Sequence, residues 1–463
     1  MTVGAQYACR SGGFQDQPRD RTMTPGTDGN NLRATILYIG TTLGRQYIAT
    51  LLQFLTVLIV ARSLGTEALG TYTIALLVPT LLSQFLNCGL ASANVYFIAS
   101  GQVAIRDAWA ASRWCVIVIA ILGTLVGACV ISACGDRLFA GVPPMILVFA
   151  LMAFPLMLTT SVVLSFFQAL HDFDAYNRTL LIQPGVAVVG AMVIALAGRT
   201  SLEAILVVVF ASHVAAAVYA LVFVSRHVGH TGCGARPLEY LRDVLVFGGK
   251  THAGNLLMLL TYRLDILLVI VFGGSAMAGL YAVAVRLAES LGAISQASST
   301  VLFPTLAGMA SRPKAQRQVT RVMACAVAIV TIIASLLTAI VARPLIVFVF
   351  GEPFAAAVPA FLILLPGVAA LAGARVLANE SAARGRPGLN LLLAGFGLVL
   401  NTLANIALIP RYGISGAAMA STLAYSFDLA IRIYLLRASG VLPDAEAETI
   451  RATETPSAPP TGE

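Results

Sequence analysis

Five charged side chains stand where an apolar chain can least accommodate them. Lys250, Arg263, Asp265, Arg286 and Glu289 fall within FGGKTHAGNLLMLLTYRLDILLVIVFGG and SAMAGLYAVAVRLAESLGAISQASSTVLFP, two consecutive segments each long enough to cross a bilayer. A charge at membrane depth costs about 3 kcal/mol on insertion scales and persists mainly where it faces a bundle interior, a partner or water. Arg45, Arg375, Asp428 and Arg432 are further charges within apolar stretches. Arg286 with Glu289, and Asp428 with Arg432, lie three and four residues apart and so share a helix face as local pairs. Arg45 has no acid on its own helix, and the nine residues together carry three more positive than negative charges. An uncompensated buried charge is strongly destabilising. The surplus is explained if these helices line a wet cavity that receives an anion, and an arginine fork can hold a phosphate with two parallel hydrogen bonds. Arg45, Arg263 and Arg286 are accordingly expected to bind it. Lys250 and Arg375 join them or snorkel to the interface. Asp265, Glu289, Asp428 and Arg432 are expected to balance charge or bind a coupling ion.

The elements that position these residues are membrane helices. The chain is 58% hydrophobic and only 11% charged, against ~25% charged in soluble domains, and its mean hydropathy is +0.86. Apolar blocks of about 20 residues match the thickness of a bilayer. They are too long and too continuous for barrel strands, so the class is an all-α integral membrane bundle. Twelve spans are expected: 34–62, 68–98, 111–134, 142–170, 178–198, 202–226, 243–272, 276–308, 318–342, 354–380, 387–410 and 413–437. Five of the 29 Lys/Arg (Arg62, Arg137, Arg199, Arg343 and Arg411) fall in connections that face outside if both termini are cytosolic. That bias sets the expected orientation.

GTEALGTYTIA and GSAMAGLYAVA align without gaps, pairing Gly65, Gly70, Tyr72 and Ala75 with Gly274, Gly279, Tyr281 and Ala284 at an offset of 209 residues. Six helices separate the copies, so both halves enter the membrane the same way, as parallel repeats. The expected organisation is a cytosolic tail (1–33), a six-helix lobe (34–226), a cytosolic inter-lobe loop (227–242), a second six-helix lobe (243–437) and a cytosolic tail (438–463). Pro79, Pro155, Pro184, Pro304 and Pro366 fall within expected helices; singly each reads as a tolerated kink, and together, in both halves, they are the bends a rocking two-lobe bundle would use.

Several chemistries are disfavoured. GGKT at 248–251 follows Val244 where a phosphate loop needs glycine, and no strand precedes it. His227, His230 and Cys233 share a loop but lack a fourth metal ligand. Basic residues form no stripe interleaved with aromatics, which argues against nucleic acid. The polar N-terminal stretch has no apolar core of a signal peptide.

ARSLGTEALGTY, FQALHDFDAYN, YRLDILLVIVFGGSAMAGLYAVAVRLAE and above all NIALIPRYGISGAAMASTLAY resemble the polysaccharide transporter branch, with its Wzx-type oligosaccharide flippases, of the multidrug/oligosaccharidyl-lipid/polysaccharide (MOP) exporter superfamily. The likeness runs from about residue 34 to 437. It implies two six-helix lobes in a V around a central cavity, in a bacterial inner-membrane protein that moves undecaprenyl-diphosphate-linked sugar repeats outward. On that reading the partners are the lipid-linked oligosaccharide, membrane lipids, and a polysaccharide polymerase with chain-length proteins. The protein is a monomer, is not an enzyme, and needs no cofactor beyond H⁺ or Na⁺ coupling. The rivals are a multidrug or organic-cation antiporter of the same superfamily, which would want acids in the first lobe, and a polysaccharide polymerase or ligase, which would want a long outer loop.

Overall fold

In the computed structural model, residues 29–438 are described apart from 100, 140, 171, 229–236, 309–312 and 385–386. Both tails and half of the expected 227–242 loop, with His230 and Cys233, lie outside them; the other half is helical, 227–228 ending one helix and 237–242 beginning the next. The elements in order are α1 (Gly29–Leu86), α2 (Leu90–Ala99), α3 (Ile105–Leu138), α4 (Pro144–Leu151), α5 (Ala153–Ala169), α6 (Phe173–Leu196), α7 (Leu202–Val228), α8 (Pro237–Gly308), α9 (Pro313–Ile340), α10 (Ala342–Phe350), a 3-10 turn (Glu352–Ala357), α11 (Val358–Ala383) and α12 (Pro387–Ala438). Among the described residues, nine helical stretches are long and apolar enough to cross a membrane. Three of these, Gly44–Leu86, Leu259–Gly292 and Gly388–Arg437, are hairpins folded at a glycine, so the bundle has about twelve crossings.

Those glycines are Gly65 (φ 82°, ψ −170°), Gly274 (φ 75°, ψ −176°) and Gly413 (φ 56°, ψ −134°). A side chain is strained at such positive φ, so glycine fixes where each long helix reverses. The prolines are tolerated within their helices, as expected of each singly. Pro79, Pro184 and Pro366 lie inside continuous helices. Pro155 is the third residue of α5, where its missing N–H is one of the donors a helix start leaves unpaired anyway. The expected continuous span 68–98 is instead broken at Asn87–Cys88–Gly89, where Cys88 (φ 50°) and Gly89 (φ 74°) are left-handed.

The chain divides into two compact units, Met1–Val283 with Arg343–Val358, and Ala284–Ala342 with Pro359–Glu463. In the first, α1 packs on α5 and α6, α6 and α5 on α7, and α2 on α5. Phe154, Phe166, Phe167, Leu147, Leu151 and Leu158 are fully buried there. Trp109 and Phe223 meet Phe166 and Phe167 edge-on, with centroids 5.4 and 6.3 Å apart, a favoured aromatic geometry. Arg62 binds the end of α10, its Nε donating to the Val349 carbonyl at 2.7 Å and its Nη2 to that of Phe348.

Within the same unit the two repeat motifs meet reciprocally. A Cβ on Gly70 would stand 1.7 Å from the Ser275 carbonyl oxygen, and one on Gly279 would stand 2.1 Å from that of Thr66. Thr66 and Ser275 occupy equivalent places in the two motifs, as do Gly70 and Gly279, so the contact has local two-fold symmetry. The equivalent tyrosines Tyr72 and Tyr281 are both buried beside it. Small residues bring membrane helices into backbone contact, where van der Waals packing replaces the hydrophobic drive that lipid does not supply.

In the second unit, Leu302, Leu306, Val327, Ala372 and Val376 form an apolar core. Helices α11 and α12 close at Gly367, whose Cβ would lie 2.7 Å from Thr422 Oγ1, and that hydroxyl donates to the Ile363 carbonyl at 2.6 Å. At the Gly413 turn, Gly416 approaches the Leu408 carbonyl. Outward-facing apolar residues such as Leu125, Leu196, Ile340 and Phe348 are 62 to 83% exposed, as a lipid-facing surface requires.

Candidate functional site

The charges expected in a cavity fall into three groups by what they touch. Arg45, on α1, is half-buried and its Nη1 donates to Asp174 Oδ1 at 2.9 Å, with the two side chains 37% and 65% exposed. This corrects the expectation that Arg45 is uncompensated. Its acid comes from the first turn of α6, 129 residues away, and cancels one of the surplus positive charges. An exposed pair is weak, worth about 0–1 kcal/mol, so the guanidinium is held without being committed.

Asp265 is buried against its own unit. Tyr281 Oη donates to its Oδ2 and the Ile266 amide to its Oδ1, both at 2.7 Å. The repeat-motif tyrosine therefore anchors this carboxylate, which two donors hold in place. Arg263 is half-buried two residues before it, on α8. Arg286 is half-buried and Glu289 exposed, both in the second unit's part of α8. The Lys250 side chain lies outside the described set.

In the second unit the remaining arginines are used to tie helices together. Arg375 Nη1 donates to the Gly292 carbonyl and to Ser295 Oγ, each at 3.2 Å. Asp428 and Arg432 form the local pair their spacing implied, Nε to Oδ1 at 2.9 Å. Arg432 also donates from Nη1 to Asn390 Oδ1 at 2.6 Å and is 8% exposed. Sequence reasoning missed a further buried pair. Glu380, 4% exposed on α11, pairs with Arg384, whose Nε donates to Gln316 Oε1 at 3.1 Å. Gln316 in turn donates to the Leu306 carbonyl at 2.8 Å. The i, i+4 spacing of Glu380 and Arg384 was the available signal.

Also missed is a polar joint in the first unit. Where α1 breaks off at Leu86, Gln84, Asn87, Gly89, Ala91, Ser92, His252 and Leu256 line a cavity of about 40 Å³. Asn87 Oδ1 accepts from the Ala91 amide at 3.2 Å and caps α2, while its Nδ2 donates to Ser161 Oγ at 3.3 Å. His252, from α8, places Nε2 2.9 Å from the Phe85 carbonyl. Nearby, the fully buried Asn94 donates to Ser165 Oγ at 3.2 Å and accepts from Ser112 Oγ at 3.1 Å. The sequence signal was Asn-Cys-Gly inside an apolar span, a run that favours positive φ over helix.

Comparison with known proteins places this architecture. No curated protein matches the sequence. Among solved structures, the lipid II flippase MurJ in an inward closed conformation is similar with a TM-score of 0.72 at 12% identity, covering 86% of this chain and 87% of that one. An inward-facing multidrug resistance MATE family transporter of the MOP superfamily gives 0.66 at 12% identity, over 89% of this chain and 100% of that one. A MOP superfamily transporter from Pyrococcus furiosus gives 0.60 at 12% identity, over 87% and 95%. The bundle therefore has the MOP fold. Residues 59–359 match the model of a family described as polysaccharide biosynthesis protein; since that match spans well over half of the sequence, the chain is a multi-pass membrane member of the polysaccharide biosynthesis protein family.

Proposed function

We propose that the protein is a flippase for lipid-linked oligosaccharides. It would move undecaprenyl-diphosphate-linked repeat units across the bacterial inner membrane for surface polysaccharide synthesis, with both termini in the cytosol. The single observation that supports this most is the coincidence of membership in a polysaccharide biosynthesis family with a fold built for carrying substrates through a bilayer. On this reading no covalent chemistry occurs. The two six-helix lobes, 34–226 and 243–437, rock in alternating access, and Arg45, Arg263 and Arg286 hold the diphosphate between them. The sugars travel in water while the polyprenyl tail stays in lipid. The weak Arg45–Asp174 pair fits this role, because an incoming phosphate offers a stronger charge-assisted partner than an exposed carboxylate. Lys250 and Arg375 extend the cationic path. The protein acts as a monomer that hands its cargo to a polymerase and chain-length proteins, driven by H⁺ or Na⁺.

The test is to purify Arg45→Ala, Arg263→Ala and Arg286→Ala, confirm normal folding, and measure lipid-linked oligosaccharide binding together with complementation of surface polysaccharide. Each charge-assisted contact is worth about 1.5–3 kcal/mol, so each variant should bind or flip roughly ten to a hundred times less well. Parent-like behaviour in all three would place the diphosphate site elsewhere. Efflux of organic cations by the parent, with no oligosaccharide binding, would replace this reading with the antiporter.

A further inference from the structure

The break between α1 and α2 leaves a backbone acceptor that a continuous helix would have used. The Phe85 carbonyl, in the last turn of α1, would receive the Gly89 N–H in an unbroken helix. With Cys88 and Gly89 left-handed it instead faces His252 Nε2 at 2.9 Å. A carbonyl can only accept, so Nε2 carries a proton in either charge state of the ring, and Nδ1 is the nitrogen this bond leaves over. A cavity large enough for a few waters adjoins the ring. Its other polar lining, Gln84, Asn87 and Ser92, is uncharged. Among the described residues, the titratable groups at the break are the half-buried Cys88 thiol and, interacting with it, Cys115 of α3. On the histidine's own helix stands Lys250, two positions away.

We infer that His252 is a proton-binding site that works as a latch across this break, taking its proton at Nδ1 from the water in the cavity. This rests on the transporter reading, since a proton site in a membrane helix joint matters most if the joint moves during transport. Protonation makes the Nε2–H···O=C bond charge-assisted, and such bonds are shorter and about twice as strong as neutral ones. The added positive charge also lies at the C-terminal end of α1, where the helix dipole favours a cation. The new Nδ1–H is satisfied within the cavity by water, the Ser92 hydroxyl or the Gln84 carbonyl oxygen. No atom other than the proton changes place. Protonated His252 therefore clamps the broken helix to α8, and loss of the proton slackens it. The charged form is the tight form, so the latch closes as pH falls and opens as pH rises.

Cys88 is a native reporter, because it sits in the joint that the latch controls. In detergent-purified full-length protein with the other six cysteines replaced by serine or alanine, N-ethylmaleimide labelling of Cys88 is timed from pH 5.5 to 8.5 in the parent and in His252→Gln. Glutamine can donate to Phe85 but cannot titrate, and dividing the two rates at each pH removes the thiol's own ionisation. The parent should label about fivefold more slowly than His252→Gln at the acid end, and the two rates should converge at the alkaline end. His252→Ala should label fast throughout. A rate ratio that stays constant across the range, with all proteins folded, overturns the latch. This arm needs no substrate, so it stands or falls apart from the transport reading. In proteoliposomes, loss of pH dependence of oligosaccharide flipping in His252→Gln supports coupling through the latch, whereas parent-like pH dependence overturns it. A pH-dependent ratio in a protein that flips no oligosaccharide keeps the latch and removes the transport reading.

Discussion

The two units hold their helices together with glycine contacts and arginine ties in different proportion. The first relies on backbone contact, with Gly70 against the Ser275 carbonyl and Gly279 against that of Thr66, leaving no room for a single Cβ. The second adds to its own close contact at Gly367 a set of arginines that reach across helices, from Arg375 to Gly292 and Ser295, from Arg384 to Gln316, and from Arg432 to Asn390. A glycine seam holds by shape and tolerates no added atom. An arginine tie holds by directed hydrogen bonds whose loss leaves a buried partner exposed to the low dielectric around it. In the first unit Arg62 makes such a tie to the end of α10, whereas Arg45 meets a 65%-exposed Asp174 and is free to change partners at little cost.

The largest expected effect breaks the seam. Gly70→Val puts a side chain where a backbone oxygen already lies, and the backbone cannot yield as a flexible side chain would. Loss of the folded protein is expected, beyond the ~4–5 kcal/mol that marks exceptional substitutions. Size-exclusion chromatography in detergent checks it, and a monodisperse, parent-like protein would refute the seam. Gly44→Ala and Gly185→Ala, at helical glycines with nothing within 4 Å, should instead leave stability equal or raise it by up to about 1 kcal/mol.

Next is the buried tie. Arg432→Ala strands Asp428 and Asn390 and should cost about 3–5 kcal/mol, read as a clear fall in thermal midpoint. A fall no larger than that of Arg45→Ala would erase the distinction between the units. A double substitution sharpens the same point at Glu380 and Arg384. Either single leucine replacement leaves a partner buried and unpaired, whereas Glu380→Leu with Arg384→Leu removes both, so the pair should lose less stability than the worse single change. The smallest effect is at Arg45. Arg45→Ala and Asp174→Ala should each change the thermal midpoint by less than about 1 kcal/mol in free-energy terms, and high salt should shrink that difference further. A large loss would make the pair structural and take Arg45 out of the proposed phosphate site.

Features carried by local spacing or by segment length could be read directly. Bilayer-long apolar blocks dictated a helical membrane bundle, because backbone polar groups in lipid must pair within their own helix. The reversals were legible as the gaps between expected spans, at 62/68, 272/276 and 410/413, and the structure places a positive-φ glycine at each, Gly65, Gly274 and Gly413. Asp428 and Arg432 were legible as a pair because a helix turn fixes their distance. The prolines were legible as tolerated kinks, because neighbouring helices and side chains can satisfy the backbone group that a missing N–H frees.

Tertiary structure decided whatever depended on which helix lies beside which. Asp174 compensates Arg45 across 129 residues, Tyr281 holds Asp265, and His252 takes up a carbonyl 167 residues away. None of these partnerships leaves a period or a spacing in the chain. Each is selected by packing, because side-chain hydrogen bonds act only within about 3 Å and the helices that come that close are chosen by the shapes of their small-residue faces. The sequence by itself therefore determined the class of solvent, the approximate number of crossings and the places where helices turn back. The fold alone determined the neutralisation of charges by partners on other helices, as of Arg45 by Asp174, and left at the α1–α2 break a polar joint that an apolar span could not announce.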